Sequence, residues 1–212
     1  MLQVSGFPIS RAAECLPGHE HLDAATCRRL QELDTESWGQ FYLQHRRLIR
    51  GVLAGHLGYG ADLEDVAQQV FVTAFSSVMD RKVELAGDES GLRAWLVAIA
   101  IRLAYAERRR RSRFDTRSEP YELAHETLPP CDPVRAEVFR RAREVIMQLP
   151  NRLQTPWLLR HFERMSLDEI ASSVGVSLAT VKRRLTSADA RFRKLAQRDA
   201  VLREHLSDGG DA

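Results

Sequence analysis

The chain is poor in the features that mark several protein classes. Only three cysteines, Cys15, Cys27 and Cys131, occur in 212 residues, an odd number too small for a disulfide scaffold, so reduced thiols are expected. Cys15, His19, His21 and Cys27 lie close together, yet their spacing matches no common zinc site. No apolar run approaches the roughly 20 residues that a membrane helix needs, and no basic segment followed by an apolar one opens the chain. A cytoplasmic protein without a membrane partner is the expectation. No stretch alternates apolar and polar residues over strand lengths, which points to an all-α fold. Glycine-rich phosphate loops, a nucleophile with a supporting base and a persuasive metal set are all missing, so neither an enzyme nor a bound cofactor is expected.

Net charge is also small, +2, but it is unevenly spread. Residues 134–198 carry fourteen basic and six acidic side chains, a surplus of eight, whereas 112–133 and 199–212 each come to minus three. A basic module between acidic flanks suggests a polyanionic partner.

That module holds the most informative stretch, Ser166 to Arg193. Ser166 stands three residues before Glu169, the spacing of a capping box. Leu167, Ile170, Ala171 and Val174 follow helical spacing, and Gly175 supplies the positive φ of a sharp turn. Ser177 caps a second helix whose buried stripe is Val181, Leu185, Ala188 and Phe192. The opposite face carries Ala179, Arg183, Thr186 and Ser187, flanked by Thr180, Lys182 and Arg184. A small Ala171 at the crossing, a glycine turn and a basic outward face together describe a DNA-binding helix-turn-helix. The plainer reading is a helical hairpin with solvated arginines.

Upstream, Trp38, Phe41, Tyr42, His45, Leu48, Ile49, Val52, Leu53 and His56 recur by threes and fours from Glu36 onward, and Gly58-Tyr59-Gly60 ends that helix. A second helix starts near Asp62, expected as its cap, and buries Val66, Ala67, Val70, Phe71, Ala74, Phe75 and Val78. Glu64, Asp65, Gln68, Gln69 and Thr73 fall on its outer face. After a polar loop from Asp80 to Ser90, a third helix runs from about Leu92 into Arg108-Arg109-Arg110-Arg111, more arginines than a helix dipole requires, so phosphate contact is expected. Residues 112–133, with Pro120, Pro129 and Pro130, read as a flexible linker. Pro133 opens a helix that ends at Pro150, and Pro156 is placed in the first turn of the next, where its missing donor costs little. The expected layout is an extension (1–35), a three-helix domain (36–111), a linker (112–133), a four-helix domain with the helix-turn-helix (134–198) and an acidic tail (199–212).

On these motifs the chain resembles bacterial RNA polymerase sigma factors of the extracytoplasmic-function group of the sigma-70 family. Asp62 to Phe75 and Gly91 to Arg111 resemble sigma region 2, and Leu149 to Leu185 resembles region 4, in the family's order. The resemblance implies promoter recognition with core RNA polymerase as partner, through its clamp helices and flap, and leaves room for an anti-sigma factor. It places Glu64, Asp65, Gln68, Gln69 and Phe71 at the polymerase clamp, and Arg102 and Arg108 to Arg111 at the −10 element. Ser177, Ala179, Thr180, Lys182, Arg183, Arg184 and Ser187 come to the −35 element, Arg183 reading bases and Lys182 and Arg184 on phosphates. Departures are Arg102 where the family carries asparagine, Gln69 where it carries an acid, and no aromatic between Phe75 and Trp95. The rival readings are a DNA-binding regulator that ignores polymerase, and a sigma-like interaction protein governed by an inhibitor with residues 1–35 as its switch.

Overall fold

A computed structural model describes residues 24–60, 62–80, 89–114 and 133–207. Those residues form helices α1 (Ala24–Gln31), α2 (Thr35–Leu57), α3 (Asp62–Met79), α4 (Glu89–Phe114), α5 (Pro133–Met147), α6 (Asn151–His161), α7 (Leu167–Val174), α8 (Leu178–Ala196) and α9 (Ala200–Ser207), with no strand among them. The all-α expectation holds. Most of the linker read over 112–133, from 115 to 132, lies outside the described residues, as do Cys15, His19, His21 and Cys131.

In the first half, α2, α3 and α4 pack against one another. Asp34 caps α2 by accepting the Ser37 backbone N–H at 2.8 Å. Edge-on rings bind α2 to α3, with Trp38 at 5.2 Å from Phe75 and Phe41 at 6.4 Å from Phe71, an arrangement that aligns ring edges with ring faces. Helix α1 belongs to the stretch read as an extension. Its Cys27 and Leu30 enter the core, and the Leu30 carbonyl accepts the Trp38 indole N–H at 3.0 Å.

The second half builds on α6. Trp157 stacks on Phe192 at 4.5 Å, and both its indole N–H and His161 meet Asp189, so α8 is fastened along α6. Helix α6 begins directly after Pro150, which puts Pro156 in the helix interior rather than in its first turn. There the proline removes one backbone bond, the one its N–H would make to Arg152. Helix α9, within the stretch read as an acidic tail, packs on α5 and buries Leu202.

Both halves share one continuous hydrophobic core. Helix α4 lies along α7, and polar bonds tie its two ends to the second half of the chain, one at α7 and one at α6. Arg93 donates to the Glu163 carbonyl at 3.3 Å and pairs with Glu169 at 3.4 Å. Near the other end, the Tyr105 hydroxyl meets that of Thr155 at 2.8 Å, and Arg108 donates to Gln154 Oε1 at 3.0 Å. The buried C-terminal carbonyls of α2 draw donors from outside the helix. Arg143 of α5 donates to the His56 carbonyl and Arg111 of α4 to that of Leu57, at 3.1 and 3.3 Å, replacing partners that a helix end lacks, while Arg143 also reinforces the Ala54 carbonyl at 3.1 Å beside the Gly58 N–H.

Candidate nucleic-acid and polymerase interface

The helix-turn-helix forms as its residues dictate. Ser166 and Glu169 satisfy each other's backbone donors, at 3.2 and 2.7 Å. Gly175 takes the left-handed conformation at φ 68°, and the Val176 N–H closes on the Ala171 carbonyl at 3.1 Å. This is the conformation in which a Cβ is penalised. Ser177 then caps α8 by accepting the Thr180 N–H at 3.3 Å. With Val181, Leu185, Ala188 and Phe192 buried, the opposite side faces outward. Ala179, Lys182, Arg183 and Ser187 are exposed, while Thr180 and Arg184 are half-buried. Among the described residues no acid is paired with Lys182 or Arg183. A capped helix N-terminus with exposed cations and small polar residues is suited to phosphates and base edges.

The arginine run of α4 is arranged differently. Arg102 and Arg109 are exposed. Arg108 is held by Gln154 and lies 5.9 Å from the Tyr105 ring centroid. Arg110 bonds Glu107 at 2.7 and 2.8 Å, and Arg111 bonds Glu107 at 3.0 Å and Asp62 at 3.3 Å. Hydrogen bonds from Arg110, then Arg111, hold the Glu107 carboxyl below the usual carboxylate range. Three of the four consecutive arginines therefore already have protein partners, because Glu107 sits one turn earlier and Asp62 is a neighbour across α3. Asp62, expected as a cap, is the first residue of α3 and pairs with this run. Residues 81–88 of the polar loop read over Asp80 to Ser90 lie outside the described residues.

On α3, Glu64, Asp65, Gln68 and Gln69 are exposed, with Glu64 paired to Arg50 at 2.8 Å. Phe71 is not on that surface. It is a core residue, edge-on to Phe41 and to Tyr42, since it falls on the same stripe as Ala67, Val70 and Ala74. Exposed apolar side chains beside this region were missed: Leu43 is 60% exposed, Val72 55% and Tyr42 37%. The signal for Val72 was present, an apolar residue one step off the buried stripe of α3.

Comparison with known proteins agrees with this geometry. Residues 41–114 match the family model for sigma-70 region 2, and residues 139–188 match that for sigma-70 region 4. The chain is 28% identical over 193 residues to the RNA polymerase sigma-H factor of Pseudomonas aeruginosa, covering 86% of this chain and 96% of that protein. It is 27% identical over 177 residues to the ECF RNA polymerase sigma-E factor of Haemophilus influenzae, covering 78% and 90%. Its fold resembles CnrH solved with the cytosolic domain of CnrY, at TM-score 0.61 and 20% identity over 83% of this chain and 97% of that one. It also resembles the sigma factor RpoE of Bartonella quintana solved with the anti-sigma factor NepR, at TM-score 0.59 and 18% identity over 77% and 99%. With both regions present in order on a helix-turn-helix and its three-helix companion, the chain belongs to the sigma-70 family, as a sigma factor of the extracytoplasmic-function group.

Proposed function

We propose that this sigma factor recruits core RNA polymerase to selected promoters by binding alone, without catalysing a reaction. The exposed face of α3, with Asp65, Gln68 and Gln69 and the adjoining Leu43 and Val72, docks on the polymerase clamp. Helix α8 enters the major groove of the −35 element, where Arg183 reads a base edge and Lys182 and Arg184 hold phosphates. Arg102 and Arg109 lead the approach to the −10 element. Opposing protein partners are of the anti-sigma class, as in the solved complex of RpoE with NepR.

The observation that carries this reading is the exposed, capped N-terminal half of α8, basic and unpaired by acids, in a chain that also presents the polar face of α3. Run-off transcription with purified core polymerase over a promoter library tests it. Transcripts from a subset of promoters that depend on the added chain are expected. DNA binding with no polymerase complex at micromolar protein would favour a simple regulator.

A further inference from the structure

Promoter elements named −10 and −35 are about 25 base pairs apart, roughly 85 Å along B-form DNA at about 3.4 Å per base pair. In this structure α4 packs on α7 and α7 on α8, and packed helices lie about 8–10 Å apart. The two reading helices are then roughly 20 Å apart, and even the roughly 39 Å length of 26-residue α4 does not bridge the gap. The arrangement described here holds Arg108 against Gln154 and cannot engage both elements at once.

The contact between the halves contains one poorly suited group. Gly51 and Gly55 share a face of α2, and Leu158 of α6 lies 3.4 Å from where a Cβ of Gly55 would stand. At Gly51 that place is filled by the Glu163 carboxyl group, whose two oxygens would both collide with a Cβ. Glu163 follows α6, so an ionisable carboxyl from the second half is seated against the backbone of the first. Arg47 of α2 and Arg93 of α4 are the cations facing it, and Arg93 is already committed to Glu169 of α7 and to the Glu163 carbonyl.

We propose that the packed halves are a self-closed, promoter-incompetent state of the chain, and that Glu163 seated on Gly51 is its release element, closed when the carboxyl is neutral and loosened when it ionises. The consequence for transcription rests on the sigma-factor reading, whereas the closure itself does not. Glu163 is half-buried, and the desolvation of its carboxyl against Gly51 pushes it from 4.5 up to about 8, against the partial relief of Arg93 and Arg47. In an open chain it returns to the ordinary range, so closing takes up a proton between those values and weakens about tenfold per pH unit as pH rises towards 8. His56, buried beneath Arg143 with both ring nitrogens unpartnered, works in the opposite sense. Burial, then Arg108 and Arg143, hold its pKa at about 3 against an ordinary 6.5, so opening takes up its proton below pH 6.5. The two effects offset each other between about 4.5 and 6.5, leaving a net loss of closure of about eightfold between pH 6.5 and 8. Arg143, held at about 10 by burial, does not titrate in this window.

Small-angle X-ray scattering of the full chain at pH 6.5 and 8.5 reads the extended fraction. Wild type is expected to gain extended chains at pH 8.5, Glu163→Gln to stay compact at both values, and Gly51→Leu, which fills the carboxyl's seat, to be extended at both. Circular dichroism checks that each variant keeps its helices. Wild type and Glu163→Gln with the same pH response would overturn the proposal, and that comparison stands even if Gly51→Leu unfolds. Run-off transcription at pH 8 with core polymerase should fall for Glu163→Gln. Scattering as expected with no transcript from any variant would sink the sigma-factor reading and leave the closure standing. Transcription with unchanged scattering would do the reverse.

Discussion

The C-terminal end of α4 and the N-terminal half of α8 are both rich in arginine, but only one of them presents its charges unpaired. On α4, Glu107, Asp62, Gln154 and the Leu57 carbonyl engage three of the four consecutive arginines. On α8, Lys182 and Arg183 stand exposed with no acid paired to them among the described residues. A run of cations therefore says little about a polyanion until its own acids are placed. Four arginines in a row span the whole circumference of a helix, so some of them must turn towards the protein, where here they close helix ends and acid pairs.

Four substitutions test that contrast. The largest effect is expected at Arg143, the arginine most completely turned inward. Arg143→Met keeps its aliphatic stem but strips the His56 carbonyl of its donor and leaves the Ala54 carbonyl with the Gly58 N–H alone, and should lower unfolding free energy by about 2–3 kcal/mol in urea titration. A loss below about 1 kcal/mol would mean that water replaces the guanidinium. At the outward extreme, Arg183→Ala should leave stability within about 0.5 kcal/mol while costing about 1–3 kcal/mol on −35 duplex and relaxing its sequence preference. Equal losses on matched and scrambled duplexes would remove the base-reading role. Arg111→Ala should behave in the reverse way, with about 1 kcal/mol less stability because its pair with Asp62 is half-exposed, and little change on DNA. Smallest is Arg109→Ala, for which fluorescence anisotropy across a salt series should show affinity falling alike for all sequences and the salt slope shrinking by about one. An unchanged slope would leave α4 without a phosphate contact at that position.

Much of the reading helix was legible because its determinants are local. Ser166 with Glu169, Gly175, and Ser177 with Thr180 act over three to five residues, and the stripe from Val181 to Phe192 repeats at helical spacing. The contact between the halves was not legible. Arg143, Glu163 and Gly51 follow no period, and their partners lie far away in the sequence, so only the folded chain brings them together. Phe71 was assigned twice, to a buried stripe and to a docking surface, and packing against Phe41 decides for the first. Helices α1 and α9 were hidden for a different reason. Each is eight residues long, too short to reveal a period, and is held by one or two side chains such as Leu30 and Leu202.

The borrowed cap of α2 has a consequence for synthesis. The guanidinium that closes the His56 carbonyl comes from a residue 87 positions later. At roughly 5–20 residues per second the ribosome needs about 4–17 seconds to deliver it. For that interval the nascent N-terminal bundle carries a frayed end, a window in which a chaperone or an early-arriving ligand finds the chain before it can fold back on itself.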